Sequence, residues 1–190
     1  MKPADIDWEA PAALIAPAFL GMRLRVRSQE GDTEVALSEV EAYGPDDPAS
    51  HSFKGITRRN ATMFGAPGLL YVYLSYGVHW CANIVVGPEG TGAAVLLRAG
   101  VPTGGEALMK RRRGTDRNVT LGPGNLTKAL GINGEDDGTK LLSQGSRISL
   151  LEGETVGEYR AGPRIGVTLG AESQWRFRTM PSPRVRAPRH

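Results

Sequence analysis

The sequence predicts a single mixed α+β domain with mainly antiparallel strands at its centre. Its 190 residues are enough for one domain with a hydrophobic core. Arginines and apolar residues alternate over residues 23–27, and a second strand pattern follows over 34–43, so these two segments predict a hairpin. A tyrosine-rich segment, 71–83, is followed by a glycine-rich turn and an apolar strand over 93–99, which predicts a second antiparallel pair. Two later strands are predicted over 146–151 and 164–169.

The chain divides into one domain with a short extension at each end. Residues 1–10 are predicted to form a flexible N-terminal arm, residues 11–180 the domain itself, and residues 181–190 a flexible basic tail. At the start of the domain, residues 11–20 contain helix formers broken by Pro17, which predicts a short helix, a kink and a further turn.

Composition excludes several classes of protein. Hydrophobic residues make up 40% and charged residues 23%, which is typical of a globular chain and not of a disordered one. No apolar run approaches the roughly 18 residues that a membrane span needs, and the N-terminus has two early acids and no apolar segment of a signal peptide. One cysteine, Cys81, and three scattered histidines give no disulfide and no metal-ligand cluster. We therefore expect a protein of the bacterial cytoplasm or nucleoid with no metal, no cofactor and no membrane association.

Charge is unevenly distributed although the net charge is only +3. Seven acids and no Lys or Arg lie within residues 29–52, whereas residues 160–190 carry seven arginines against one acid. Lys110-Arg-Arg-Arg113 adds a compact basic cluster. Any one cluster could be solvated surface, but several basic patches around an acidic, aromatic-rich centre favour a nucleic-acid footprint.

Two strand segments have features that ordinary strand packing does not explain. Glu39, Glu41 and Tyr43 alternate along one face, and acids are disfavoured in strands. Either this face is exposed to solvent or the carboxylates take part in catalysis. The tyrosines of 71–83 could fill a buried hairpin core, but Tyr76-Gly77 interrupts the strand with a turn that can push an aromatic ring outward.

Taken together in order, the motifs of this chain resemble the alkyladenine (3-methyladenine, or 3-methylpurine) DNA glycosylase family. The resemblance runs from about residue 20 to about residue 177. Tyr43 is followed directly by Gly44, where the family usually has one more residue, so the loop that leads to His51 is one residue shorter. The matching pieces are Glu39-Val-Glu-Ala-Tyr43, Asp47-Pro-Ala-Ser-His51, Arg59-Asn60, Met63-Phe64-Gly65, Pro67-Gly68, Tyr71-Val-Tyr73, Tyr76-Gly77, Asn83, Val95-Leu-Leu-Arg-Ala99, the segment 121–133, Arg164-Ile-Gly-Val167, Trp175 and Phe177.

The resemblance implies a fold and a reaction. The fold is one domain with a curved antiparallel sheet and peripheral helices. The reaction is hydrolysis of the N-glycosidic bond of a damaged purine in double-stranded DNA, after the nucleotide has been flipped out of the stack. Alkylated and deaminated purines (3-methyladenine, 7-methylguanine, hypoxanthine and ethenoadenine) are the implied substrates, and their ranking is left open.

The resemblance also implies residue roles. Glu41 is the implied catalytic base for water, with Arg98 beside it, and Tyr76 is the implied wedge that intercalates into DNA. The implied base pocket consists of Tyr43, His51, Tyr73 and Asn83. The alternative for His51 and Asn83 is that their side chains only satisfy hydrogen bonds within a loop or a turn. The predicted phosphate contacts are Arg58, Arg59, Lys110, Arg111, Arg112, Arg113 and Arg117.

No lysine lies in the matched catalytic segments, Lys54 being the nearest in sequence, so we expect a monofunctional enzyme that leaves an abasic site. The expected partner is damaged double-stranded DNA, bound by a monomer. Two alternatives stay open at this point: a non-catalytic module that binds damaged DNA, and an RNA- or nucleotide-directed enzyme on the same scaffold.

Overall fold

A computed structural model describes residues 1–180 of the chain. Within these residues, nine strands form one sheet in which every paired neighbour runs antiparallel. The main path through the sheet is β6-β3-β4-β5-β2-β1-β7, and β9 pairs with both β2 and β8. The strands are β1 (Arg23–Val26), β2 (Thr33–Tyr43), β3 (Leu69–Ser75), β4 (His79–Val86), β5 (Ala93–Gly104), β6 (Thr139–Lys140), β7 (Ile148–Leu151), β8 (Tyr159–Gly162) and β9 (Arg176–Thr179).

The sheet is nearly closed. Leu141, directly after β6, accepts a hydrogen bond of 3.1 Å from the N–H of Leu150 in β7, so the two ends of the strand order meet. Peripheral helices complete the domain, and the α+β prediction with a curved, mainly antiparallel sheet is confirmed. Within the described residues the α-helices are α1 (Ala12–Ile15), α2 (Glu106–Arg113) and α3 (Pro123–Leu130), and the 3-10 helices are Pro3–Asp5, Ala16–Phe19, Ala61–Phe64 and Gly134–Asp136.

Strand β2 is the strand on which the site depends. It pairs with β5 from Glu34 to Tyr43, with β1 along its first half and with β9 along its second half. The register with β5 shifts on both sides of Glu39, which marks a β-bulge. A bulge bends and twists its strand locally, and bulges are frequent beside active sites. Here it lies directly before the second half of β2, which carries Glu41 and Tyr43.

A proline and packing against the hydrophobic core account for helices α1 and α3. Pro17 cannot continue an α-helix, and α1 passes into the 3-10 helix Ala16–Phe19 at that proline, as the sequence predicted. Helix α3 buries Leu126, Ala129 and Leu130 against the sheet. Each fully buried leucine contributes about 1.5–3 kcal/mol to stability. The helices of the described residues are too short and too polar to cross a membrane.

The strand predicted over 164–169 is wrong. These residues form a loop between β8 and β9, whereas the strand predicted over 146–151 is present as β7. The alternation of this segment suggested a strand, but Pro163 precedes it and Gly166 takes a φ of 79°, a left-handed conformation that breaks a strand.

The N-terminal arm makes several contacts with the domain. The Met1 ammonium donates to the Gly153 carbonyl at 2.9 Å, and the Trp8 ring lies 5.6 Å from the Phe19 ring. The flexibility of residues 1–10 stays a prediction. The predicted basic tail, 181–190, lies outside the described residues.

Candidate active site

One row of side chains crosses four strands beneath a cavity. In the register of the sheet, Glu41 on β2 faces Leu96 on β5, Leu96 faces Asn83 on β4, and Asn83 faces Tyr71 on β3. Side chains two residues apart share a face, so Tyr43 lies on this side of the sheet as well. The cavity above the row has a volume of about 610 Å³. Its described lining is Tyr43, Ala49, His51, Arg59, Met63, Tyr71, Tyr73, Ser75, Tyr76, Cys81, Asn83, Leu96, Arg98, Pro123, Ile165, Gly166 and Val167.

The Glu41 carboxylate is fully buried beneath this cavity, and both of its oxygens contact donor groups of the protein. Oε1 accepts from the backbone N–H of Ile165 at 2.8 Å. Oε2 accepts from the Tyr43 hydroxyl at 2.9 Å and lies 3.3 Å from a guanidinium nitrogen of Arg98. A buried carboxylate is costly unless it is paired and hydrogen-bonded, and these three partners meet that requirement.

A network of charges holds Arg98 in place. Its Nε donates to Glu39 Oε1 at 3.1 Å, while another guanidinium nitrogen contacts Glu41. Glu39 also pairs with Arg176 on β9 at 3.3 Å. Glu39 and Glu41 therefore share one arginine, and Glu39 fixes the direction in which that arginine approaches Glu41.

Aromatic side chains line the cavity beside this network. The His51 ring meets the Tyr73 ring edge-on with 4.5 Å between centroids, and its Nδ1 lies 3.0 Å from the Tyr71 hydroxyl. Burial, together with the nearby charge of Arg59, lowers the pKa of His51 below its ordinary value. Burial raises the pKa of Tyr71 to about 12. Both groups are therefore neutral at neutral pH, and the His51–Tyr71 hydrogen bond joins two uncharged groups.

Burial is also the main cause of a raised pKa at two further tyrosines of the cavity, Tyr43 and Tyr73. At Tyr43 the Glu41 carboxylate adds to the effect of burial on the pKa. At Tyr73 the Cys81 thiol adds to it. Both hydroxyls therefore stay protonated and can act as hydrogen-bond donors.

The loop that carries His51 is held in place by polar contacts although it is one residue shorter than the family pattern. The buried side chain of Asn60 donates to the carbonyls of His51, at 2.8 Å, and Gly55, at 3.1 Å. Ser50 and Ser52 share a hydrogen bond of 2.7 Å inside the same loop. With these contacts the shortened loop still brings His51 to the cavity.

Asn83 lies in the cavity floor, and its side-chain nitrogen donates to the Tyr71 carbonyl at 3.1 Å. The amide is buried and held by the neighbouring strand, so it presents a fixed shape to anything that enters.

Tyr76 stands at the tip of the β3–β4 hairpin, where 93% of its surface is exposed. Its φ is 50° and that of Gly77 is 71°, so both central residues of the turn are left-handed. The tightest hairpin turns require this pair of conformations. The ring lies at the rim of the cavity and projects into solvent.

The predicted phosphate contacts fall into two groups. Arg58 and Arg117 are exposed, and Arg59 is exposed at the cavity wall, where its guanidinium lies 5.6 Å from the Tyr73 ring centroid. On α2, by contrast, Arg112 is largely buried and donates to Glu30 and to the Leu130 carbonyl.

The other basic residues of α2 also have partners within the chain. Lys110 pairs with Glu106 and Asp116, and Arg111 pairs with Glu30. The Arg113 side chain donates to the Val119 carbonyl. Phosphate contact by this cluster stays a prediction.

Sequence reasoning gave no role to Arg164 or Asp47, although both stand in motifs quoted above for the family resemblance. The structure pairs them, fully buried, next to Tyr43. The available signal was indirect: each opens a motif, Asp47-Pro-Ala-Ser-His51 or Arg164-Ile-Gly-Val167, that ends at or passes through the cavity wall.

The structure thus brings six of the predicted site residues around one cavity, with Tyr76 at its rim. Their chemical roles stay predictions at this stage. The six are Glu41, Arg98, Tyr43, His51, Tyr73 and Asn83.

Comparison with known proteins assigns the chain to a family. The family model described as Methylpurine-DNA glycosylase (MPG) matches residues 7–183. A relative from Granulibacter bethesdensis is 48% identical over 177 residues, which are 91% of this chain and 82% of the relative. One from Rhodopseudomonas palustris (strain CGA009) is 47% identical over 165 residues, covering 86% and 77%. One from Cutibacterium acnes is 42% identical over 193 residues, covering 97% and 99%.

All three relatives bear the name of a candidate 3-methyladenine DNA glycosylase. The matches to these relatives span most of both chains. The match to the family model, over residues 7–183, includes the strands and loops that form the cavity described above. The chain belongs to the methylpurine-DNA glycosylase family, whose members are DNA glycosylases of DNA repair.

Proposed function

We propose that this protein is a monofunctional DNA glycosylase that acts as a monomer on damaged double-stranded DNA. In this proposal it flips an alkylated or deaminated purine out of the helix and hydrolyses the N-glycosidic bond, which leaves an abasic site. The observation that carries the proposal is the position of Glu41. It is an acid held by two hydrogen-bond donors and one arginine under an aromatic cavity, beside an exposed tyrosine at a hairpin tip.

The hairpin tip and the cavity together fit base flipping. A base inside the stack is out of reach of any protein side chain, and extruding it costs a few kcal/mol. An aromatic wedge such as Tyr76 can occupy the space that the base leaves behind. The cavity volume of about 610 Å³ lies within the range of pockets that enclose small ligands.

The cavity walls fit a purine. Tyr43 and Tyr73 offer aromatic surfaces for stacking, and a desolvated cation against such a surface gains ~2 kcal/mol, which favours positively charged alkylated purines. Neutral lesions such as hypoxanthine and ethenoadenine would depend on shape and hydrogen bonds. The fixed amide of Asn83 would crowd the 2-position of a purine and so disfavour guanine.

Glu41 is the catalytic residue in this proposal. Cleavage of the glycosidic bond builds positive charge on the sugar, and a carboxylate at that point stabilises this charge and can take a proton from the attacking water. Glu41 has no exposed surface in this structure. A water can therefore reach Oε2 only if one of its two partners, the Tyr43 hydroxyl or the Arg98 guanidinium, moves aside.

The lining of the cavity supports the monofunctional interpretation. A strand-cleaving lyase step needs an amine that attacks the sugar. No lysine is among the described residues that line the cavity.

The proposal is tested with labelled duplexes that carry one hypoxanthine or one ethenoadenine, together with methylated DNA. Strand breaks are measured with and without alkali, and the same lesions are offered in single-stranded DNA and in RNA. We expect breaks that need alkali, and faster base release from duplex than from single strands because only a duplex leaves a gap for Tyr76 to fill.

Each rival has its own result in this assay. Binding of damaged duplex without base release from any substrate would leave a damage-recognition module. A preference for single strands or RNA that is unchanged by loss of the Tyr76 ring would point to an RNA- or nucleotide-directed enzyme. Breaks without alkali would contradict the monofunctional interpretation.

A further inference from the structure

Arg164 and Asp47 form an ion pair that is completely buried beside the cavity. The Arg164 side chain has no exposed surface, and Asp47 has almost none. The contact is bidentate: one guanidinium nitrogen donates to Asp47 Oδ2 and the other to Oδ1, the latter at 2.9 Å. The planar fork of arginine suits this geometry and lysine cannot reproduce it.

The same guanidinium reaches strand β2. It donates to the Ala42 carbonyl at 3.0 Å and lies 4.7 Å from the ring centroid of Tyr43. The Trp175 ring lies 5.2 Å from it. Tyr43 lines the cavity, whereas Arg164 is not among the lining residues.

Both oxygens of the Glu41 carboxylate are held by donors that Arg164 holds in turn. The Tyr43 hydroxyl, on Oε2, belongs to the ring against which Arg164 packs. The Ile165 N–H, on Oε1, belongs to the residue that follows Arg164 in the chain. A further hydrogen bond, 3.2 Å long, joins Arg164 to the Gly170 carbonyl and holds the loop that contains Ile165.

Stability alone is a weak explanation for this arginine. Buried ion pairs often contribute little net stability, because removing two charges from water offsets their attraction. In addition, the buried Nε of Arg164 finds no hydrogen-bond partner among the described residues. A buried donor without a partner costs about 1–3 kcal/mol.

We propose that Arg164 is a positioning residue for Glu41, and that it acts through the Tyr43 hydroxyl and the Ile165 N–H. This inference rests on the proposed function, in which Glu41 activates the water. Arg164 touches neither the base nor the sugar in this proposal. Its effect is to fix the direction of the carboxylate, and a misplacement of about 1 Å in a catalytic group can cost ~100-fold in rate.

Two variants distinguish a positioning role of Arg164 from a role in folding. Arg164→Lys keeps the charge but loses the fork that joins Asp47, Ala42 and Tyr43. The double variant Arg164→Met/Asp47→Asn removes both charges, so no buried charge is left without a partner. Its new amide oxygen can still accept from the Ala49 N–H, as the Asp47 carboxylate does at 3.0 Å. The matched control is Arg147→Lys, which weakens another arginine–aspartate pair, with Asp136, remote from the cavity.

The readout is single-turnover base release from a hypoxanthine duplex, measured over a range of enzyme concentrations at a temperature where thermal unfolding shows each variant to be folded. We expect the saturating rate constant to fall about tenfold for Arg164→Lys and ~100-fold for the double variant. The enzyme concentration for half-saturation should change little, and Arg147→Lys should release base at the wild-type rate.

Glu41→Gln in the same assay keeps the two proposals apart. If Glu41→Gln releases base at the wild-type rate, Glu41 is not the catalytic base, and a positioning role of Arg164 at that carboxylate is overturned with it. If Glu41→Gln is inactive while folded Arg164→Lys and the double variant keep the wild-type rate constant, the positioning role is overturned. A change confined to the half-saturating concentration would also overturn it, because that is the signature of a binding defect.

Discussion

His51 is held in the cavity as an uncharged side chain, and this has a consequence for stability. In the unfolded chain it takes up a proton near its ordinary pKa of 6.5, whereas burial and Arg59 lower the pKa of the folded state. Between these two pKa values the unfolded state binds more protons. The free energy of unfolding therefore falls as the pH drops from about 6.5 through the pKa of the folded state, and it does not depend on His51 above that range.

His51→Gln should remove this part of the pH dependence. We expect the loss of stability between about pH 8 and about pH 5.5 to be smaller in the variant than in the wild type, because glutamine does not titrate. Urea unfolding at the two pH values measures it. An equal loss in both proteins would show that His51 is protonated as readily in the folded chain as in the unfolded one.

Sequence reasoning reached some site residues and not others for a physical reason. Glu39, Glu41 and Tyr43 lie two residues apart on one strand, and strand periodicity places them on one face. The Arg164–Asp47 pair joins residues 117 positions apart, and no local pattern encodes such a contact. Similarly, local sequence gave no sign that Glu39 and Glu41 would share Arg98.

The β3–β4 hairpin is the element in which function and stability conflict. Tyr76 holds a left-handed φ of 50° at the tip, a conformation that costs most residues about 1–2 kcal/mol. Asparagine tolerates this conformation far better, and Tyr76 has little packing to lose because it is almost fully exposed.

Tyr76→Asn should therefore make the protein more stable and less active. We expect the free energy of unfolding to rise by about 1 kcal/mol while base release from duplex falls. Denaturant unfolding and single-turnover kinetics on one preparation measure both. Gly77→Ala is the control, since it keeps the ring but strains a φ of 71° and should lower stability. A variant that is equally active would refute the wedge, and one that is less stable would refute the strain at this turn.

Turns, helices and strands were predictable where the residues that indicate them are close together in the sequence. The Tyr76-Gly77 turn and the glycine-rich turn before β5 were both predicted from sequence, and both are present. Helix α2 was not predicted as a helix, although four basic residues in its last turn and Gly114 at its C-terminus are the usual signals of a helix end. The loop over 164–169 was mistaken for a strand because its course follows from the contacts of Arg164 and Ile165, and alternation alone does not reveal them.

Across the whole molecule, the basic residues differ in what they are free to bind. Arg117 is exposed and its side chain has no recorded acidic partner among the described residues, whereas Arg112 is committed to Glu30 and to α3. For each phosphate that a protein contacts, the logarithm of the binding constant falls against the logarithm of salt concentration with a slope of about −0.9.

Arg117→Gln should accordingly make the slope less steep by about 0.9 and weaken binding to any sequence. Arg112→Gln should leave the slope unchanged and lower stability, because it removes bonds to the Leu130 carbonyl and Glu30. Fluorescence titration of a lesion duplex at several salt concentrations measures the slope. An unchanged slope for Arg117→Gln would remove this residue from the interface.

The fold class was predictable because alternation and turns repeat along the chain, but the strand order was not. β2 pairs with β9 as well as with β5, and the ends of the sheet meet through Leu141 and Leu150. Such long-range pairing depends on how the whole core packs.

The most direct test of the central claim compares Glu41→Gln with Glu34→Gln. Both acids are buried on β2, but Glu34 pairs with Arg23 and Arg25 away from the cavity. In single-turnover base release from a hypoxanthine duplex, we expect Glu41→Gln to lose at least ~100-fold in rate while it still binds the duplex. Glu34→Gln, once shown to be folded, should keep the wild-type rate. Wild-type rates for Glu41→Gln would contradict the assignment of the catalytic base.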